Sequence, residues 1–134
     1  MKKLALITAI LLTTTLVQAE TLVKTYTGKL RGTTTKVVNV ADLKKGQYRY
    51  ELKLTGAKRA RAKLKITKKR WSGTWITLVN VKKLKSRRTH EGTFNVDVRG
   101  PVGQNTNGTR KVKFKVYKKI GQRQINFVLK IYKK

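Results

Sequence analysis

The sequence has no cysteine, one proline, one histidine and five acidic residues among its 134. Without cysteine there is no disulfide, no thiol nucleophile and no thiolate metal site. A single histidine, His90, excludes phosphodiester cleavage by a histidine pair. The acids Glu20, Asp42, Glu51, Glu91 and Asp97 are too few to hold a hard cation. Beyond residue 19 the only serines are Ser72 and Ser86, both in basic surroundings with no G-x-S-x-G setting. GPVG and NTNG have no following helix and no Walker lysine, so neither reads as a phosphate loop. His90-Glu91 reads as a surface pair at a strand entrance, and the sequon at Asn107-Gly108-Thr109 as a turn. These absences point away from an enzyme and imply no cofactor.

What the chain has in excess is positive charge. Lys and Arg number 34, for a formal net charge of +29. The first thirteen residues of KRARAKLKITKKRWSGTW, from Lys58, hold eight of them and no acid. Basic runs recur at 81–88, 110–119 and 130–134. Self-repulsion of this order costs folding stability, which implies that the charge is kept for a partner. Solubility alone would need far less.

Residues 1–19 read as a secretory signal of bacterial type. Lys2 and Lys3 precede a short apolar, threonine-rich core, and Val17-Gln18-Ala19 forms a small-residue cleavage site. That core is too short for a comfortable membrane span. Export to the periplasm or beyond is therefore expected. Residues 20–134 would form a single basic domain; of the 134 residues 115 remain, and loss of Lys2 and Lys3 takes +29 to +27.

From there the pattern alternates with period two. Candidate strands are Leu22 to Leu30 and Thr34 to Val40, a turn over 41–46, then Tyr48 to Leu54 with Tyr48, Tyr50, Leu52 and Leu54 on one face. Ala62, Leu64 and Ile66 alternate with Arg61, Lys63 and Lys65, with a turn or strand end at 68–70. Trp75 to Val81 is apolar on both sides and suggests a central strand, followed by a basic loop over 82–90. Phe94, Val96 and Val98 form the next inward row. A loop over 100–108 leads to Val112, Phe114 and Val116, which alternate with Lys111, Lys113 and Lys115. A turn at 120–122 precedes Ile125, Phe127, Leu129 and Ile131. About seven to nine short strands without a helix imply an all-β fold, an antiparallel β-sandwich or barrel.

Alternation places most lysines outward, in rows about 6.6 Å apart along a strand and about 4.8 Å between strands. A ligand with regularly spaced negative charge relieves their repulsion. The candidate binding residues are Lys58, Arg59, Arg61, Lys63, Lys65, Lys68, Lys69, Arg70, Trp71, Lys111, Lys113 and Lys115. Lys68, Lys69 and Arg70 could clamp one phosphorylated headgroup, with Trp71 at a lipid headgroup boundary. Trp71 could equally stack on an unpaired base. Trp75 is expected to be partly buried, and Tyr117 and Tyr132 to lie on the sheet surface. Anionic membrane lipids, phosphoinositides included, rank first among partners, as for a secreted bacterial effector; nucleic acid or a glycosaminoglycan comes next.

YTGKLRG (26–32), KKGQ (44–47), EGTFNVDV (91–98) and RKVKFKVYKK (110–119) resemble the periplasmic inhibitors of g-type lysozyme. The resemblance implies a small exported β-sandwich related to bacterial pre-peptidase C-terminal domains, and lysozyme as a partner. It carries over no inhibitory-loop residue. Charge disfavours that partner, because lysozymes are usually basic and would be repelled by this surface.

Overall fold

The period-two rows become strands. A computed structural model of the chain describes residues 19–70, 72–97, 108–119 and 123–134. The segment up to residue 18 expected to be an export signal, Trp71, Val98, most of the expected 100–108 loop and the expected 120–122 turn lie outside the described residues. Eight strands follow one another: β1 (Thr21–Leu30), β2 (Lys36–Lys44), β3 (Gly46–Gly56), β4 (Arg61–Lys69), β5 (Trp75–Lys85), β6 (Thr89–Val96), β7 (Thr109–Lys118) and β8 (Ile125–Lys133). No helix forms among the described residues.

The strands make two antiparallel four-stranded sheets, β1-β8-β3-β6 and β2-β7-β4-β5. Apart from the β4–β5 hairpin, each strand is followed by one in the opposite sheet. This is the jelly-roll arrangement of a β-sandwich. Between the sheets lie the inward rows: Tyr48, Tyr50, Leu52 and Leu54; Ala62, Leu64 and Ile66; Val112, Phe114 and Val116; and Ile125, Phe127, Leu129 and Ile131, all buried. Phe94 stacks on Tyr48 at 5.4 Å and meets Phe114 edge-on at 6.1 Å, so rings from both sheets lock the middle of the core. Room for two other rings comes from glycine. A Cβ on Gly28 would lie 2.6 Å from the Phe127 ring, and one on Gly92 2.5 Å from that of Tyr50.

Three segments differ from the sequence expectation, each for a physical reason. The turn expected over 41–46 is strand through Lys44, because Ala41 and Leu43 continue the inward row opposite Val112 and Arg110. The basic loop expected over 82–90 is mostly strand, with the bend confined to 86–88. Lys82 and Lys83 are absorbed as a bulge between Leu64↔Val81 and Ala62↔Leu84, with Lys83 at φ 59°. That extra residue breaks the alternation and makes a strand look like a loop. Finally, Trp75 to Val81 is an edge strand rather than a central one.

Candidate polyanion-binding face

A second bulge decides which way Trp75 points. Ile66 pairs with Val79, yet Thr67 pairs with Thr77, so Leu78 is skipped in the register. Val79 therefore faces the core, while Thr77 and Trp75 turn to the outer face beside Thr67 and Lys69. Expected to be partly buried against the core, Trp75 is 36% exposed and lies on the outer face. The Lys113 ammonium sits 3.9 Å above its ring centre, a cation–π contact between β7 and the sheet edge.

The same outer face collects the lysine rows. On β7 the outward residues are Lys111, Lys113, Lys115 and Tyr117; on β4 they are Lys63, Lys65 and Lys69. Lys65 lies directly opposite Lys115, and Lys63 opposite Tyr117, whose ring centre is 5.4 Å from the Lys63 ammonium. Like charges directly opposed across a strand pair are destabilising. On β2 the register sets Lys36 opposite Tyr117, Val38 opposite Lys115, Val40 opposite Lys113 and Asp42 opposite Lys111. Asp42 is the sole carboxylate in this grid. Val38 and Val40 are 40% and 51% exposed, so two aliphatic side chains and one indole stand among the ammonium groups.

The candidate residues divide accordingly. Lys63, Lys65, Lys69, Lys111, Lys113 and Lys115 share the face, and Arg61 lies at its end opposite Lys85. Lys58 and Arg59 are exposed in the β3–β4 turn, and Arg70 is exposed just after β4. Lys68 does not belong with them. It continues the inward parity of Ala62, Leu64 and Ile66, is buried, and donates its ammonium hydrogen to the Asp97 carbonyl at 2.8 Å. Burial lowers its pKa from the ordinary lysine value, opposed by nearby Asp97 and reinforced by Arg110 and Arg70. The clamp expected of Lys68, Lys69 and Arg70 thus has one member turned inward. Lys118, at the inward end of β7, is likewise buried and donates to the Gly32 carbonyl at 3.0 Å.

The opposite outer face is chemically different. Arg49 on β3 contacts Glu20 at 3.0 Å and both Glu51 and Glu91 at 3.4 Å. Its guanidinium carbon also lies 4.3 Å from the Tyr132 ring centre. The hydrogen bond to Glu20 is the main influence raising the guanidinium pKa. His90 and Glu91 do not pair: the imidazole Nε2 is 2.9 Å from the Lys85 carbonyl, and Glu91 turns to Arg49. No group of three or more potential metal-ligating side chains occurs among the described residues.

No protein-family model matches the chain, and no curated protein matches it. Among solved structures it is similar to TmCBM61 in complex with β-1,4-galactotriose, at 16% identity and a TM-score of 0.43, over 74% of this chain and 62% of that one. It is also similar to the structure of the infectious bursal disease virus Gx strain, at 12% identity and a TM-score of 0.36, over 87% of this chain and 30% of that one. The chain therefore spans less than two thirds of either protein.

Proposed function

We propose that this is a non-enzymatic binding protein that docks peripherally on anionic, phosphate-bearing membrane surfaces through the outer face of β2-β7-β4-β5. The observation that carries the reading is the interleaving of Val38, Val40 and Trp75 with Lys113, Lys115 and Lys65 on one sheet face. A bilayer surface offers a plane of negative headgroups over an apolar layer. Ammonium groups remain at the phosphates, each contributing about 1 kcal/mol near an anionic surface. Valine and indole side chains between them reach the apolar boundary, where tryptophan is at home. A nucleic acid uses the cations but leaves the valines exposed. Among the described residues no helix is long and apolar enough to cross a membrane. The export signal expected at residues 1–19 would carry the protein to such a surface outside the cytoplasm.

The test is co-sedimentation with phosphatidylserine vesicles, with duplex DNA present at matched phosphate. Retention on vesicles despite the competitor, with a blue shift of Trp75 emission in a Trp71→Phe background, is the expected result. If DNA strips the protein from every vesicle and Trp75 emission never shifts, the membrane reading fails and a general polyanion binder replaces it. Lysis of cell walls by a g-type lysozyme should proceed unchanged when the protein is added.

A further inference from the structure

Beyond the flat lysine face, the sandwich has an arginine-lined depression at one end. It has a volume of about 420 Å³ and is lined by Arg59, Arg61, Lys85 and Arg88 over a floor of Ala60 and Ser86. No carboxylate takes part in the lining. Arg61 and Lys85 are direct partners across the β4–β5 pair, and Arg59 and Arg88 come from the two adjoining turns.

Those turns are fastened to each other. The Ser86 amide donates to the Ala60 carbonyl at 2.9 Å, and its hydroxyl donates to the Ala57 carbonyl. Arg87 Nε donates to the Gly56 carbonyl at 3.1 Å, and the Leu54 amide to the Arg88 carbonyl at 2.9 Å. Arg59 and Arg87 hold left-handed backbone conformations, at φ 65° and 63°. Such conformations are uncommon for residues other than glycine and persist where the surroundings impose them. The cations are therefore presented from a braced frame.

We infer that this depression binds a single phosphate monoester. The chemistry differs from that of the flat face in the choice of cation. Arginine offers a planar fork that matches two phosphate oxygens at once, whereas lysine acts as a compact point charge. A monoester near neutral pH carries close to two charges and three terminal oxygens, enough to engage several forks. A diester in a polymer has one charge and two free oxygens, and is served as well by the lysine grid. The volume leaves room for the phosphate and part of a ring that bears it. Nothing in this assignment depends on the membrane reading.

The experiment is calorimetric titration of the chain with inositol 1,4,5-trisphosphate at about 150 mM salt, where weak surface attraction is screened. The expected result is saturable binding of one molecule per chain. Replacing Arg59→Asn and Arg88→Gln together should weaken it by about tenfold or more. Asparagine tolerates the left-handed conformation at position 59, and an unchanged melting temperature verifies that the variant folds. Removing equal charge from the opposite sheet, by Lys24→Gln with Lys130→Gln, should change affinity by less than about twofold. Absence of saturable binding, or equal losses in both double variants, overturns the proposal. Vesicles with and without phosphatidylinositol 4,5-bisphosphate then identify the source of the phosphate. A preference for the phosphorylated lipid that the Arg59/Arg88 variant loses supports a lipid headgroup, and trisphosphate binding without that preference supports a soluble ester. Binding to phosphatidylserine vesicles with no response to trisphosphate would defeat the depression alone and leave the face intact.

Discussion

On the outer face of β1-β8-β3-β6 one guanidinium, that of Arg49, gathers Glu20, Glu51 and Glu91. On the outer face of β2-β7-β4-β5 Lys65 confronts Lys115, and Asp42 is the single carboxylate in register. Three of the five acids in the sequence are thus spent on one side of the sandwich. Net charge describes the chain poorly, because the charge is sorted by face. One face is close to neutral and knitted across β3, β6 and the start of β1. The other keeps like charges opposed at a cost to stability, as expected of a surface whose repulsion a ligand relieves.

The largest expected effect tests that sorting directly. Changing Lys63, Lys65 and Lys115 to Gln removes three cations from one face; changing Lys29, Lys53 and Lys130 removes three from the other. If docking uses the lysine face, the first set should weaken binding to phosphatidylserine vesicles by about 3 kcal/mol, roughly two orders of magnitude. The second set should lower it by less than about tenfold, since charges held beyond a Debye length of the bilayer are screened. Equal losses in a co-sedimentation assay would mean that only total charge matters, and the contrast between faces would have no functional content.

The sheets also differ beneath the surface. In β1-β8-β3-β6 the edge strands β1 and β6 place Gly28 and Gly92 under the rings of Phe127 and Tyr50. Gly92→Ala would put a methyl group 2.5 Å from the Tyr50 ring and hydroxyl. Overpacking of this kind costs about 1–3 kcal/mol, to be read as a lower urea midpoint with unchanged slope. Vesicle binding should not follow if docking uses the lysine face, because the altered sheet would then face away. A variant as stable as the parent would show that the ring swings aside freely and that β6 tolerates a side chain there.

Much of the fold was legible because a half-buried strand writes itself as alternation. The rows 48–54, 62–66, 112–116 and 125–131 are buried as their parity demands. Parity also held information that charge obscured. Lys68 and Lys118 continue the inward series of β4 and β7, and both are buried; a reading of Lys68 as a surface cation weighs its type above its position. The bulges at Leu78 and at Lys82-Lys83 were not legible. Each inserts one residue and reverses the parity beyond it, which turned Trp75 from a core candidate into a face residue. Nor could the Arg49 cluster be read, since it joins the start of β1 to β3 and β6, and strand order fixes that meeting. The arginine depression is hidden for the same reason: Arg59 and Arg88 lie in turns that only the strand order brings together.

A smaller effect is expected from dismantling the neutral face. The Arg49 side chain is 22% exposed and its partners 28–58%, so solvent screens the network and its contribution is modest. Arg49→Met should cost about 1 kcal/mol, seen as a slightly lower melting temperature that added salt partly restores by screening the three carboxylates from one another. Vesicle binding at fixed salt should stay close to that of the parent. A large loss of binding would mean that the neutral face, or the start of β1 which Glu20 anchors, contributes to docking.

The smallest effect concerns the one candidate cation whose charge burial opposes. Lys68 is buried in the inward row, and burial lowers its pKa below 10.5. Below that lowered value Lys68 is charged in the folded and unfolded chain alike, and the burial cost is present in full. As pH rises towards 10.5, the folded chain releases the proton first. The unfolded state then binds more protons, so stability rises with pH across that window. The readout is a difference between two proteins, the parent and a variant at this one position. Lys68→Met keeps the length of the side chain, removes the buried charge and removes the ammonium hydrogen bond to the Asp97 carbonyl. Since a buried charge often costs more than its partners return, the variant should melt about 2–3 °C higher near neutral pH. Its advantage should shrink as the alkaline window is crossed. Two parallel melting curves, or a variant that melts lower throughout, would show that the hydrogen bond to Asp97 outweighs the burial cost and that Lys68 acts as a structural clasp.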